Sequence, residues 1–191
     1  MAFSIIANSN AITYKEVFPL IKENRLWLGA TGNSNDMVFR VPVDTAVRHT
    51  DREKAARLGY PSTDTEVYTR LGNSCWFTNI QHGRRHSPLT LMSMDENLRT
   101  NKRIRNNPHS YTTYDNFDAI EVPVTSGIPS DYTGAMGVPI SFLDKYNPDQ
   151  FKIIKFRHGN DGKDLRYRQV TRELKTPYFR ILIRQKARPE Q

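Results

Sequence analysis

The sequence predicts an α/β fold followed by a C-terminal α+β region, and three observations predict it. Residues 3–7 and 26–28 are short apolar runs with helically spaced residues between them, so strand, helix and strand follow one another at the start of the chain. Residues 37–43 and 179–184 alternate in the two-residue period of a half-buried strand. A polar tract at 95–110 separates two halves of different composition, which places a domain boundary near it and divides the chain into 1–93 and 94–191.

Taken in order, residues 3–7 include Ile5 and Ile6 side by side, the pattern of a strand covered on both faces. A strand of that kind rarely opens a domain, so a preceding segment is expected. Asn8-Ser9-Asn10 is a turn. Thr13 and Glu16 form a capping-box pair, with Tyr14, Val17, Phe18 and Ile21 at helical spacing behind them and Pro19 set awkwardly among them. Residues 22–24 close this helix, and the strand at 26–28 ends at Gly29. In the strand at 37–43, Phe39, Val41 and Val43 share a face and Pro42 marks an edge. Residues 44–73 are polar with little periodicity and read as an insertion or loop. Residues 75–80 form a strand whose neighbours Trp76 and Phe77 point to opposite faces. Residues 89–92 form a weaker strand, and another lies at 119–122.

The stretch 130–156 is the best punctuated. Gly134 and Gly137 permit close backbone approach, Pro139 removes a donor, and Ser141 with Asp144 opens one or two helical turns that Asn147-Pro148 stops and caps again. A strand follows at 152–156. Residues 159–172 form a basic loop, and the last strand, 179–184, turns Phe179, Ile181 and Ile183 inward.

Composition limits the function classes. Hydrophobic residues make up 37 %, enough for a core in a chain of 191 residues. Lys and Arg number 28 against 20 acidic residues, and the net charge of +8 favours a polyanionic partner. Cys75 is the only cysteine, so no internal disulfide forms, and no apolar run approaches a membrane span or signal peptide; a cytoplasmic location is expected. Two basic clusters follow the strand at 75–80: Arg84 and Arg85 in Q-H-G-R-R-H, then Arg99, Lys102, Arg103 and Arg105 in R-T-N-K-R-I-R. Arginine forks fit phosphate and guanine, so these six are candidate DNA contacts, with solvated loops as the alternative. His82 and His86 have zinc-ligand spacing, but Gly83 and Pro88 argue against a helix, and Asn107-Pro108 and Asn147-Pro148 read as turns.

Four stretches in order carry a resemblance: N-A-I-T-Y-K-E at 10–16 with W-L-G at 27–29, W-F-T-N at 76–79, G-A-M-G-V-P-I-S-F-L-D-K-Y-N-P at 134–148, and Y-F-R-I-L-I-R at 178–184. Together they resemble the C-terminal half of EcoRI-type adenine-specific DNA methyltransferases. The resemblance implies part of a Rossmann-type methyltransferase sheet in 1–93 and a target-recognition region in 94–191. It implies methyl transfer from S-adenosylmethionine to adenine N6 in double-stranded DNA. It also implies a base-stacking role for Phe77, since such enzymes take the base out of the helix. Two elements of the family are missing from this sequence: the glycine-rich cofactor turn and the Asn/Asp-Pro-Pro-aromatic motif, both of which lie upstream of the strand at residue 3 in the family. The implied partners are therefore duplex DNA and a separate N-terminal catalytic segment. The alternatives are a non-enzymatic DNA-binding or specificity module, and a basic scaffold for protein partners.

Overall fold

The computed structural model describes residues 1–30, 36–157, 165–168, 174–175 and 179–187. In chain order the elements are β1 (Ser4–Asn8), α1 (Phe18–Lys22), β2 (Trp27–Leu28), β3 (Met37–Val41), α2 (His49–Arg57), β4 (Val67–Leu71), β5 (Ser74–Thr78), α3 (Met94–Thr100), α4 (Lys102–Arg105), β6 (Thr113–Tyr114), β7 (Phe117–Glu121), β8 (Met136–Pro139), β9 (Phe151–Arg157), β10 (Tyr167–Arg168), β11 (Leu174–Lys175) and β12 (Arg180–Gln185). Turns of 3-10 helix occupy Ser9–Thr13, Gly83–His86, Thr125–Gly127 and Ile140–Lys145. The mixed α/β class is as the sequence predicts. The chain forms two compact units, Met1–Tyr14 with Leu26–Ile80, and Lys15–Arg25 with Gln81–Gln191. The units part after Ile80, whereas the polar tract at 95–110 lies within the second unit and is folded into α3 and α4.

The first unit is built on the sheet β1-β5-β2. β1 and β2 both pair antiparallel with β5 and so run parallel to each other on either side of it. Asn79 fastens the start of β1: its Oδ1 accepts from Phe3 N at 2.8 Å and its Nδ2 donates to the Met1 carbonyl at 2.9 Å. The Trp27 indole donates to the Ile80 carbonyl at 2.9 Å. Cys75 is buried, in keeping with a packing role. β3 and β4 pair antiparallel as a two-stranded sheet, and α2, which lies between them in the chain, packs against β4. Residues 44–73 are thus not an insertion without structure. α2 buries only Ala55, so it has no apolar stripe for periodicity to find, and its end is set instead by Gly59 at φ 93°.

Two further expectations change. The helix predicted from Thr13 starts at Phe18, because Pro19 lacks an amide hydrogen and fits only the first turn. β1 is an edge strand with Ile5 and Ile6 exposed, not a strand covered on both faces.

The second unit is organised by the sheet β6-β7-β8-β12-β9, in which β7 and β8 are parallel and the other pairs antiparallel. Ile181, Leu182 and Ile183 of β12 are all buried, so side chains on both faces of this interior strand are covered. The alternating pattern had implied only one buried face. Residues 89–92 carry no strand. Residues 140–145 form the turn expected there, although no Ser141 cap initiates it. Asn147 stops it and caps the next turn, its Oδ1 accepting from Asp149 N at 2.8 Å. Phe142 meets Phe151 edge-on at 5.3 Å between ring centroids. Most of the basic loop expected at 159–172 falls outside the described residues.

Gly137 shows why this strand needs glycine. Its Cα pairs with Glu121 on one side and Leu182 on the other, and a Cβ there would collide with the Tyr114 hydroxyl. In that space Tyr114 donates to Glu121 Oε2, and Arg180 donates to both Glu121 oxygens, with Nη2 to Oε1 at 2.7 Å. The carboxylate is buried and its charge is matched by the guanidinium, which a buried ion requires.

Candidate nucleic-acid interface

The corner made by α3 and α4 is assembled from polar locks beneath and cations above. Ser93 opens α3 with a full capping box: its Oγ accepts from Glu96 N at 3.2 Å and Glu96 Oε2 accepts from Ser93 N at 2.8 Å. The Ser93 backbone N–H donating to the carboxylate, helped by the Ser93 side chain, holds the Glu96 pKa below its ordinary value. Asn97 is wholly buried and its Nδ2 donates back to the Met92 and Ser93 carbonyls. Asn101 caps α4 by accepting from Arg103 N at 3.2 Å and ties the corner to Ser126 through its amide nitrogen. Ile104 is the apolar anchor, inserted where Gly127 leaves room that a Cβ would fill.

With Asn97 and Ile104 facing in, Arg99, Lys102, Arg103 and Arg105 all face solvent. Four cations thus occupy residues 99–105 on a fixed backbone. Arg99 is paired with Asp95 at 2.8 Å, an exposed i,i+4 pair of the kind that contributes little and exchanges readily for a phosphate. Arg105 Nη1 reaches the Arg99 carbonyl at 3.3 Å. The arrangement suits a polyanion: several guanidinium and ammonium groups lie close together on an exposed face.

The other cluster divides. Arg84 is exposed and lines a shallow pocket of about 200 Å³ with Ser87, Pro88, Leu89, Asp144 and Lys145. Arg85 is only 5 % exposed, and its Nη2 donates to Asn24 Oδ1 at 2.7 Å. Burial pulls its pKa below the ordinary arginine value, with Tyr146 and Asp149 opposing that shift. Asn24 holds a left-handed backbone at φ 56° and also accepts from the Tyr146 hydroxyl at 3.4 Å. Arg85 is therefore a brace among the turn after α1, the Gly83–His86 turn and Tyr146, rather than a surface contact. Phe77 is likewise buried, at 2 % exposure on the central strand β5.

His86 does not combine with His82 as a zinc ligand pair. The turn there is 3-10 rather than α, and the two His86 ring nitrogens meet Asp149 at 2.6 Å and Gln81 at 3.0 Å. Among the described residues no group of three or more His, Cys, Asp or Glu could hold a metal ion. The strand β1 leads into Ser9–Thr13, a turn without glycine that is capped by Asn8. The Asn107 and Asn147 side-chain oxygens accept from the backbone two residues on, as turn formers do. The Glu121–Arg180–Tyr114 lock was not foreseen, although a carboxylate and an arginine within apolar strands were its visible signal.

Residues 1–186 match the family described as adenine-specific methyltransferase EcoRI. The chain is 45 % identical over 184 residues to the Type II methyltransferase M.EcoRI of Escherichia coli, covering 96 % of this chain and 50 % of that protein. It is 31 % identical over 152 residues to the Type II methyltransferase M.MpnI of Mycoplasma pneumoniae, covering 80 % of this chain and 43 % of that one. A Mycoplasma genitalium Type II methyltransferase, M.MgeORF184P, is likewise 31 % identical over 153 residues. The chain spans half or less of the length of these curated relatives. No solved structure matches it.

Proposed function

The chain belongs to the EcoRI adenine-specific methyltransferase family, and from that premise we propose that it is the DNA-contacting portion of a site-specific adenine-N6 methyltransferase. The observation that carries this reading is the α3–α4 corner, where Arg99, Lys102, Arg103 and Arg105 are exposed on a buried Asn97–Ile104 base. Arg84 joins them as a DNA contact, while Arg85 and Phe77 act as structure. Residues 1–93 contribute to the catalytic sheet and residues 94–191 carry target recognition. S-adenosylmethionine supplies the methyl group, and it is gripped by residues outside this chain. The protein works in the cytoplasm, a setting supported by a single buried thiol and by the lack, among the described residues, of any helix long and apolar enough to cross a membrane.

A second reading has its own support. The glycine-free turn after β1 and the capped Asn-Pro turns favour a specificity module that binds DNA without transferring methyl groups. One experiment separates the two. Radiolabelled methyl transfer from S-adenosylmethionine to duplex DNA is measured for the chain alone and for the chain mixed with the part of M.EcoRI that it does not span. Incorporation in the mixture, lost when the corner cations are replaced, is the result expected for the enzyme portion. DNA binding without incorporation in either case identifies the module. Absence of DNA binding rejects both.

A further inference from the structure

We propose that Asn106 is a base-reading residue that recognises an adenine of the target duplex by its major-groove edge, a role that rests on the DNA-contact reading of the α3–α4 corner. Four asparagines lie in residues 97–107, and three of them hold the fold. Asn97 donates to the Met92 and Ser93 carbonyls, Asn101 accepts from Arg103 N, and Asn107 Oδ1 accepts from His109 N at 2.9 Å. Asn106 differs. Its side chain is exposed, and among the described residues no hydrogen bond engages its amide.

The backbone beneath that amide is fixed all the same. Asn106 N donates to the Lys102 carbonyl at 3.1 Å, and φ −88° with ψ 0° keeps the residue helical at the end of α4. The turn beyond is locked as well, because the Ile104 carbonyl accepts from Asn107 N at 3.1 Å and from Ser110 Oγ at 2.7 Å. A carboxamide with its donor and acceptor both unused, carried on a fixed backbone, is a recognition group.

Helical spacing places it at the crest of α4. Successive residues turn by about 100°, and the wholly buried Ile104 marks the inward direction. Lys102 and Asn106 then lie roughly 160° from Ile104, on the outermost line, while Arg103 and Arg105 lie about 100° from it on either side. An element presented this way to a duplex sends its crest toward the base edges and its flanks toward the phosphates. Residue types divide the work in the same sense. The guanidinium groups take phosphate oxygens, whereas an uncharged carboxamide gains less from a phosphate. Against adenine the carboxamide makes a bidentate pair, its oxygen accepting from the N6 amino group and its nitrogen donating to N7.

The test is selection from a pool of random duplexes, carried out with the chain and with Asn106→Ala. The chain is expected to yield a consensus, and the variant the same consensus with the preference for adenine erased at one position. There the chain should favour adenine by about tenfold, the discrimination that one bidentate pair supplies. Replacing that adenine with 7-deazaadenine, which lacks the N7 acceptor, should weaken binding of the chain by roughly three- to tenfold and leave binding of the variant unchanged. Affinity for random duplex, the slope of log K against log salt and the urea midpoint should match between the two proteins, which a phosphate contact or a structural residue would not allow. An unchanged consensus in the variant overturns the proposal, as do an equal loss of affinity for every duplex and failure of the chain to select any consensus. A separate outcome decides the DNA-contact reading: the variant with Arg99, Lys102, Arg103 and Arg105 replaced by Gln must bind duplex with a shallower salt dependence.

Discussion

Two arginine-rich turns of similar composition end in different environments. In the Gly83–His86 turn, Arg85 is withdrawn from solvent to brace Asn24, and only Arg84 of the pair remains outside. In the α3–α4 corner every cation is outside, because Asn97 and Ile104 take the inward positions of the helices. Arg180 extends the contrast, since its guanidinium is consumed by a buried carboxylate. The difference teaches that cation density does not identify a binding surface. What decides is whether the backbone period supplies other residues to face the core.

The contrast can be broken first at its buried end. Replacing Glu121 with Ala strands Arg180 and the Tyr114 hydroxyl inside the sheet, and a loss of about 3–5 kcal/mol in urea unfolding is expected. Replacing the ion pair with Glu121→Leu and Arg180→Met together should recover much of that loss, because the desolvation cost disappears with both charges. Recovery of nothing would show that the pair is not acting as an isolated charge match. Arg85→Ala should destabilise by about 1–3 kcal/mol through the lost bond to Asn24, and duplex binding of the folded variant should be unchanged. A binding defect with unchanged stability would return Arg85 to the surface.

The fold was legible where chemistry is local and obscure where it depends on neighbours. Gly137 and the Asn147 cap were readable, because a close approach and a side-chain cap leave residue-type signatures. α2 was hidden because its one buried residue is an alanine, and β12 was assigned one buried face because nothing in residues 179–184 reveals that the second face is covered as well. At the site, the cations of residues 99–105 could be named from sequence, but Arg85 and Phe77 could not be sorted from surface groups. Their burial is decided by residues distant in the chain, Asn24 and Ile5 among them.

Smaller effects sharpen the description of the corner. Ser93→Ala removes the α3 cap and should cost about 1 kcal/mol in urea unfolding, with loss of amide protection confined to α3. Tyr111 supplies a pH test, since its hydroxyl donates to the Gly127 carbonyl at 2.8 Å and burial, with Asp131 nearby, pushes its pKa up to about 12. The folded pKa lies above the unfolded value of 10.0, so its contribution is complete below pH 10 and declines as pH rises from there through about 12. Tyr111→Phe should flatten that alkaline decline in unfolding free energy. A decline of the same size in the variant would assign it elsewhere.

The most direct test of the central claim is the salt dependence of duplex binding for the chain and for the variant in which Arg99, Lys102, Arg103 and Arg105 are replaced by Gln. Each phosphate neutralised contributes roughly −0.9 to the slope of log K against log salt, so removing four contacts should make that slope shallower by roughly 3 to 4. Unfolding free energy should stay within about 0.5 kcal/mol, as exposed substitutions do. An unchanged slope in a folded variant would contradict the assignment of this corner to DNA.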